Sequence, residues 1–596
     1  MSENATTLQT QHAMLVVWGE YAQSIGLVKD IESVPLDQKT VDHSPQRKVL
    51  EFLVATLAGL PYLKDISRSA HPLDQDRAVA KAWGQDGWAD QSGVSRTMSG
   101  LTMAQASQIV DVLRAVSQPF IDREVMLALR DPGKVIYDVD LTGRPVSNSS
   151  TTYPGVALGH MSDGVALGYQ AAMVSMHSPT YGRVWLSVKP HPGDKVACAL
   201  LEELVRSAET QTGVRPLRRT DLLTGRIAQQ SEAQADLASQ VDRAQKRLDQ
   251  TREAQAQVIQ QLETWQQQVA DLEAAYRLKG KPERPHSRLA QARRQVEVYA
   301  RRQQRREQAV AQAVQHLEKA QARLAQHQAE TNKLAQRLAL FEQENRANPS
   351  PIRADLRIDA GFSPPENVAL LIELGYEVYT KPYGAWLRAD LKRQTNDKTE
   401  WTRVGKNAEM VAWAAQLVSK CPYPLDVALE RFYIGDTLKH SVLIHYGQDA
   451  VTSDLPAWFH TYNGRQTIEA GIKEGKNVFE MHHLKVRSEA ALFLQEHFAV
   501  FAANLVRWAA HWLVTECLAK PDDLELADHP QASILGVKDQ VRTLAHTSAY
   551  VTWFEQGCLL MFTEHSLLAG SILYIIRQTA IQLALPLFKS CIFAPT

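Results

Sequence analysis

Apolar residues recur with helical spacing over the first part of the chain. Val49, Leu50, Phe52, Leu53, Ala55 and Leu57 predict a buried helix that Leu60-Pro61 ends, and residues 12 to 130 read as mostly helical, with a second unit following Thr102. The period then shortens to two. Val135, Tyr137 and Val139 alternate with Ile136, Asp138 and Asp140, predicting a strand from Lys134 to Leu141 that Thr142-Gly143 turns. Two carboxylates emerge on one face near its end. Strands at Val165 to Met176 and Arg183 to Val188 follow, then a helix from Lys195 to Thr210.

From Arg226 to Asn345 the pattern becomes a heptad seam. Leu237, Val241, Ala244, Leu248, Thr251, Gln255, Val258, Leu262, Trp265, Val269, Leu272 and Tyr276 keep alternating steps of four and three. Gly280-Lys-Pro282-Glu-Arg-Pro285 interrupts it. The seam resumes at Leu289, Ala292, Val296 and Tyr299 and continues through Val310, Ala313, Leu317, Ala320 and Leu324 to Leu334, Leu338 and Phe341. Polar positions at Gln303, Arg306, His327 and Thr331 weaken it locally. Two long helices and a short Pro/Gly loop predict an antiparallel hairpin about 75 Å long at about 1.5 Å per residue.

Beyond Asn348-Pro-Ser-Pro a strand returns, Arg353 to Asp359, with alternating charge on one face and Ala354, Leu356 and Ile358 on the other. Asp359 falls at its C-terminal end, where α/β sheets place ligands. Ser363-Pro364-Pro365-Glu366 reads as an N-cap, Pro at N1 and a capping-box Glu, opening a helix that ends at Gly375 before a strand from Tyr376 to Thr380. Residues 383 to 455 look strand-rich, with alternation in Trp386 to Leu391 and His440 to His445. Residues 453 to 482 then read as helix. Tyr462, Arg465, Glu469 and Lys476 fall within about 60° of one another at about 100° per residue. Residues 530 to 596 predict a hairpin around Glu555-Gln-Gly557 and a terminal apolar helix.

Composition changes this picture little. A chain of 596 residues, 44% hydrophobic, can build several domains around sizeable cores. The net charge of -1 conceals a local excess at Arg293, Arg294, Arg301, Arg302, Arg305 and Arg306, a solvated coiled-coil surface or a DNA-backbone contact. Cys198, Cys421, Cys517, Cys558 and Cys591 lie far apart without Cys-x-x-Cys or zinc spacing, which reads as a reducing compartment. Met1 to Gln11 lacks a signal pattern. Phe498 to Val514 and Ile572 to Phe588 are interrupted by Arg507 and Arg577 and predict buried helices rather than membrane spans. The expectation is a soluble cytoplasmic protein.

The chemistry lies in the acidic residues and the 462–476 helix. A carboxylate between cations can be a solvated i,i+4 face, since Arg465 precedes Glu469 by four and Lys473 follows it by four. Gly464 and Gly471 each cost a helix about 1 kcal/mol relative to Ala, which points to close approach by a backbone or phosphate. Tyr462-Asn-Gly-Arg465-Gln-Thr-Ile-Glu469-Ala-Gly-Ile-Lys-Glu-Gly-Lys476 resembles the Tyr-Arg-Glu-Lys signature of DDE-class bacterial insertion-sequence transposases, the insertion-sequence-four-like superfamily. Arg357-Ile-Asp359-Ala-Gly361-Phe362 resembles that family's second-aspartate motif, and Asp140-Leu-Thr142 its first, with Asp138 as the alternative. Ser92-Gly-Val-Ser-Arg-Thr-Met-Ser-Gly resembles the segment before the catalytic domain, and Phe498-Ala-Val-Phe-Ala-Ala-Asn504-Leu505 the closing helix.

The resemblance implies an α/β protein with an RNase H-like catalytic core. Its parts would be a helical N-terminal domain (1–130), binding DNA or capping the core; core segments at 131–225, 347–382 and 456–515; the coiled-coil hairpin at 226–346; a β-rich insertion at 383–455; and a C-terminal region at 516–596. It implies cut-and-paste transposition by in-line phosphodiester transfer. Asp140, Asp359 and Glu469 would hold two Mg²⁺ about 3.5–4 Å apart, with Mn²⁺ able to substitute. Tyr462, Arg465, Lys473 and Lys476 would contact DNA phosphates, and Trp401 and Trp458 are candidates to support a flipped base or to sit in the core. Expected partners are double-stranded DNA, as terminal inverted repeats and target, and further copies of the chain in a dimer or larger assembly, nucleoid-associated and without a membrane. The coiled coil departs from the usual family arrangement; it would pair subunits or track DNA. The rival expectations are a catalytically silent coiled-coil DNA-binding or scaffold protein descended from such an enzyme, and a nuclease that cuts without joining.

Overall fold

The computed structural model describes residues 6–39, 42–161, 164–280, 284–418, 420–516, 536–554, 557–563, 571–576 and 594–595. They divide into two units, Met1–Leu217 with Ser350–Thr596, and Arg218–Pro349.

In the first unit a strand, β1 (Thr6–Thr10), precedes helices α1 (Ala13–Ser24), α2 (Leu27–Glu32), α3 (Pro45–Leu57), α4 (Asp65–Arg68), α5 (Arg77–Ala82), α6 (Gln91–Ser99) and α7 (Met103–Arg130). The helical expectation for this stretch is met. Ser44 caps α3 ahead of Pro45, and Thr102 with Gln105 forms a capping box that starts α7. The predicted apolar face of α3 is wholly buried.

The core sheet begins with β2 (Val135–Pro145), β3 (Ala157–Met161), β4 (Gly164–Ser178) and β5 (Gly182–Pro192), followed by α8 (Ala197–Thr212). After the second unit, whose helices α9 (Thr220–Leu278) and α10 (Arg288–Arg346) are described below, come β6 (Ala354–Arg357), α11 (Pro365–Glu373) and β7 (Glu377–Thr380). Next are α12 (Trp386–Gln394) and the meander β8 (Thr402–Arg403), β9 (Ala408–Leu417), β10 (Pro424–Ile434) and β11 (Thr437–Tyr446). Among the described residues these ten strands make one sheet, ordered β3-β4-β2-β6-β7-β11-β10-β9-β8, with β5 also paired to β4. Only β2–β6 and β6–β7 are parallel. Both faces are covered, as a parallel centre requires. Tyr137 reaches Thr212 of α8 on one side, and α13 (Leu455–Asn463) and α14 (Gln466–Asn477) lie on the other.

The chain closes with α15 (Glu489–Glu516), α16 (Val537–Arg542), β12 (Ala549–Phe554), β13 (Gly557–Phe562), β14 (Ser571–Ile576) and β15 (Ala594–Pro595). These strands add to β1 in a second sheet, β1-β12-β13-β14-β15. Helix α15 packs on α3, α7 and β5. Its Asn504 both donates to and accepts from the Trp185 backbone, each at 2.9 Å, satisfying groups beside the bulge that shifts the β4–β5 register.

Several local expectations are corrected. Thr142-Gly143 does not turn the chain; β2 runs on to Pro145, so Asp140 lies mid-strand. Trp386 to Leu391 is helix, not strand, because its apolar pair Leu387 and Leu391 is buried at a spacing of four. Ser363 does not cap α11; its hydroxyl donates to Ala360 and Lys381 carbonyls, and Pro364 holds the N-cap position. The strand-rich stretch 383–455 does carry β8 to β11, and it extends the core sheet through β7–β11 pairing. The hairpin flanking residues 555–556 is present as β12–β13, those two residues lying outside the described set. Of the expected terminal helix, Ser571–Ile576 is a strand and 577–588 lies outside the described residues. Cys198 is a free thiol, Cys421 and Cys558 are buried, and Cys517 and Cys591 fall outside the described residues. Among the described residues no helix is long and apolar enough to cross a membrane.

The second unit is the hairpin of α9 and α10, 59 residues each. At about 1.5 Å per residue each is about 88 Å long, more than expected because the helices run past the heptads at both ends. Arg218 bonds Glu344 and Arg293 bonds Glu273, each at 2.6 Å, so the helices are antiparallel. Leu248 packs with Ala313 and Leu317 at mid-length. Every apolar seam position named above is buried or half-buried; Gln303, His327 and Thr331 are half-buried too, but Arg306 is exposed and off the seam. Arg301, Arg302 and Arg305 are likewise exposed.

Candidate functional site

Strands β2 and β6 run side by side, with Asp138 opposite Arg357. Arg357 donates to both oxygens of Asp138, Nε to Oδ1 at 2.7 Å and Nη2 to Oδ2 at 2.6 Å, and its Nη1 reaches the Thr461 carbonyl at 3.0 Å. The pair is buried, with 5% and 1% of the side chains exposed. Asp138 is therefore committed to the fold. Two residues further along the chain from each of the pair stand Asp140, still on β2, and Asp359.

Asp359 lies just past β6. It caps a 3-10 turn, its side chain accepting from the Gly361 and Phe362 amides. Those bonds use Oδ1 and leave Oδ2 facing Arg465. Asp140 accepts from the Leu141 amide at 2.8 Å.

The third carboxylate comes from α14, and here the single helical face is corrected. The helix breaks at Gly464-Arg465 into α13 and α14, so Tyr462 and Glu469 belong to different helices. A Cβ on Gly464 would lie 2.2 Å from Arg357 Nη1, and one on Gly471 would lie 2.2 Å from Arg183 Cζ. The two glycines admit guanidinium groups of the protein itself. Arg183 is fixed there by the Thr467 carbonyl and by stacking on Trp185.

Arg465, at the break, points into the acidic group. Its Nη1 is 2.6 Å from Glu469 Oε1, and its Nη2 is 3.1 Å from Asp140 Oδ2 and 3.9 Å from Asp359 Oδ2. The i,i+4 pair exists, yet its arginine is 8% exposed and is not a solvated surface partner. Burial works against the Arg465 charge, but Asp140, Asp359, Tyr462 and Glu469 outweigh it. Burial pushes the Asp140 carboxyl up to about 6; Arg465 opposes that, Asp359 and Glu469 add to it, and the Leu141 amide opposes it. Three carboxylates thus converge on one guanidinium, Asp140 at the buried corner and Asp359 and Glu469 toward solvent, 41% and 49% exposed.

The other candidates are placed less uniformly. Tyr462 is buried in an apolar cluster with Tyr379, Met410 and Trp458, its ring 5.4 Å from the Lys381 ammonium, and burial raises its phenol. Trp458 is core, and Trp401 lies under the Arg431 guanidinium at 4.0 Å. Lys473 is exposed one turn beyond Glu469, and Lys476 is half-buried in the last turn of α14. Sequence reasoning gave no role of their own to Arg357, Arg183 and Asn504, although Arg357 and Asn504 stand in the motifs quoted above. The signal for Arg357 was present: a strand face reading Arg353, Asp355, Arg357 and Asp359 complements one carrying Asp138 and Asp140.

The donors suit a hard divalent cation, being carboxylate oxygens, with Asp140 raised first by burial and further by Asp359 and Glu469. Asp140, Asp359 and Glu469 would hold it, but not as they stand. Among the described residues the one acidic or histidine trio with ligand atoms all within 4.8 Å is Glu480, His482 and His483. The Arg465 guanidinium lies between the three carboxylates. No family model matches the chain, and no curated protein matches it.

Proposed function

We propose that the protein is a DDE-type DNA transposase, cleaving DNA at the ends of a mobile element and joining the 3′-hydroxyls to a target. The observation that carries this reading is the convergence of Asp140, Asp359 and Glu469, from two neighbouring parallel strands and a helix, on Arg465. Antiparallel strands followed by α8, the opening order expected of an RNase H-like core, support it further.

Mg²⁺ bound there would stabilise charge on the attacking and leaving oxygens of the phosphodiester. The protein's residues do the rest. Asp140 lies on β2 and Asp359 just past β6, strands that the Asp138–Arg357 clamp ties together. Glu469 approaches from a helix seated against the sheet because Gly464 and Gly471 let Arg357 and Arg183 lie beneath it. Arg465 neutralises the carboxylates and is sited to turn its fork to a phosphate. Exposed Lys473 is available to DNA, and a dimer or larger assembly would bring two ends together.

One observation favours a second reading. The carboxylates are spread around a guanidinium instead of closing on one point, as in a silent scaffold that has kept its acidic residues. Mg²⁺-dependent cleavage of DNA carrying the element's own ends separates the two. We expect the native protein to cut and Glu469→Gln to bind without cutting; binding without cutting by the native protein would favour the scaffold.

A further inference from the structure

The turn between α14 and α15 gathers a second set of ligands, independent of the carboxylate site. Glu480 Oε2 lies 3.0 Å from His483 Nδ1 and 3.6 Å from His482 Nε2, and the ligand atoms of the three residues are all within 4.8 Å of one another. The two imidazoles lie with centroids 3.9 Å apart, tilted by 42°.

The backbone is shaped to bring them together. Glu480 takes a left-handed conformation, φ 54, which a side-chain-bearing residue adopts at a cost. Met481 anchors the turn: its amide donates to the Gly475 carbonyl at 3.0 Å, and its buried side chain occupies the space that a Cβ on Gly475 would fill. His483 N then donates to the Glu480 carbonyl at 3.1 Å. Glu480, His482 and His483 therefore project from a fixed turn.

The outer contacts suit metal ligation as well. His482 Nδ1 bonds the Lys476 carbonyl at the end of α14. A proton on Nδ1 leaves the Nε2 lone pair directed at the Glu480 side, the arrangement that orients ligating histidines. Side-chain exposures of 40% for His482 and 32% for His483 leave room for water to complete the coordination.

We propose that Glu480, His482 and His483 bind a late first-row divalent cation, Zn²⁺ by preference, which fastens the turn to the C-terminal end of α14. Two imidazoles and one carboxylate with open positions suit Zn²⁺, whereas Mg²⁺ takes oxygen donors, so the ion differs in class from that suited to Asp140, Asp359 and Glu469.

The test is titration of the full-length protein with Zn²⁺ alone, followed by calorimetry, with Co²⁺ absorption reporting coordination. We expect one saturable equivalent, weakened by about tenfold or more in His482→Ala and in His483→Ala, and unchanged in Asp140→Asn. Circular dichroism checks that these variants remain folded. Equal affinity in the His482→Ala/His483→Ala double variant, or no saturable binding by the native protein, would overturn the assignment. Neither result depends on transposition.

Discussion

Arg357 grips Asp138 with two bonds, at 2.7 and 2.6 Å, while Asp140, two residues on, is met by Arg465 at 3.1 Å. The two carboxylates share a strand face and differ in role: one is clamped inside the fold, the other is the buried corner of the acidic group. Replacing Asp138 by Asn strands a buried guanidinium without its counter-charge. We expect Asp138→Asn to lose about 3–5 kcal/mol of stability, read as a fall in the urea midpoint at constant slope; a midpoint like the native one would remove Asp138 from the structural role.

Asp140 should respond in the opposite sense. Its carboxyl is raised from 3.8 to about 6 in the folded protein, chiefly by burial. A raised folded value favours the folded state below the ordinary carboxylate range, and that contribution is lost as pH rises through about 6. Asp140→Asn, always neutral, should be more stable than the native protein by about 3 kcal/mol at neutral pH, with the gain vanishing near the ordinary aspartate value. Urea melts across this range measure it. A gain independent of pH would mean that the carboxyl is not perturbed.

Gly464 is required by a side chain that cannot step aside. Arg357 Nη1, 2.2 Å from an added Cβ, is held by Asp138 through the rest of its guanidinium and by the Thr461 carbonyl. Gly464→Ala should cost about 1–3 kcal/mol, and the double variant Gly464→Ala/Asp138→Asn should cost less than the sum because the arginine is then free to move. Additive losses in the double-mutant cycle would rule out this steric origin.

The hairpin should be removable. The chain leaves the first unit at Leu217 and returns at Ser350, and nearby Ile352 N donates to the Arg215 carbonyl at 3.2 Å, so the two ends already lie together. Replacing residues 218–349 by a short Gly/Ser linker should leave a folded core with metal-dependent nicking but impaired end pairing. A core that fails to fold would show that the hairpin contributes to its stability, and unimpaired pairing would exclude the proposed role of the arm.

Where one period ran undisturbed, the sequence was readable. The apolar seam from Leu237 to Phe341 is found buried or half-buried at each apolar position, because a helix pair has only that stripe to bury. β2 was legible from its alternation, but its extent was not, since Thr142-Gly143 carries a turn signal that sheet pairing with β4 overrides. Likewise, Tyr462 to Lys476 reads as one helix by spacing alone; the break falls at Gly464, against which Arg357, 107 residues earlier in the chain, is packed. The resemblance favoured Asp140 over Asp138 without excluding the latter, because what separates them, the choice of arginine partner, is a tertiary fact.

The most direct measurement is Mg²⁺-dependent joining of a pre-cut 3′-hydroxyl end to plasmid DNA, comparing the native protein with Asp140→Asn, Asp359→Asn and Glu469→Gln. We expect joining by the native protein alone, with all four proteins binding the DNA end equally. Joining by any of the three variants at the native rate, or none by the native protein on its own ends, would contradict a catalytic role for these carboxylates.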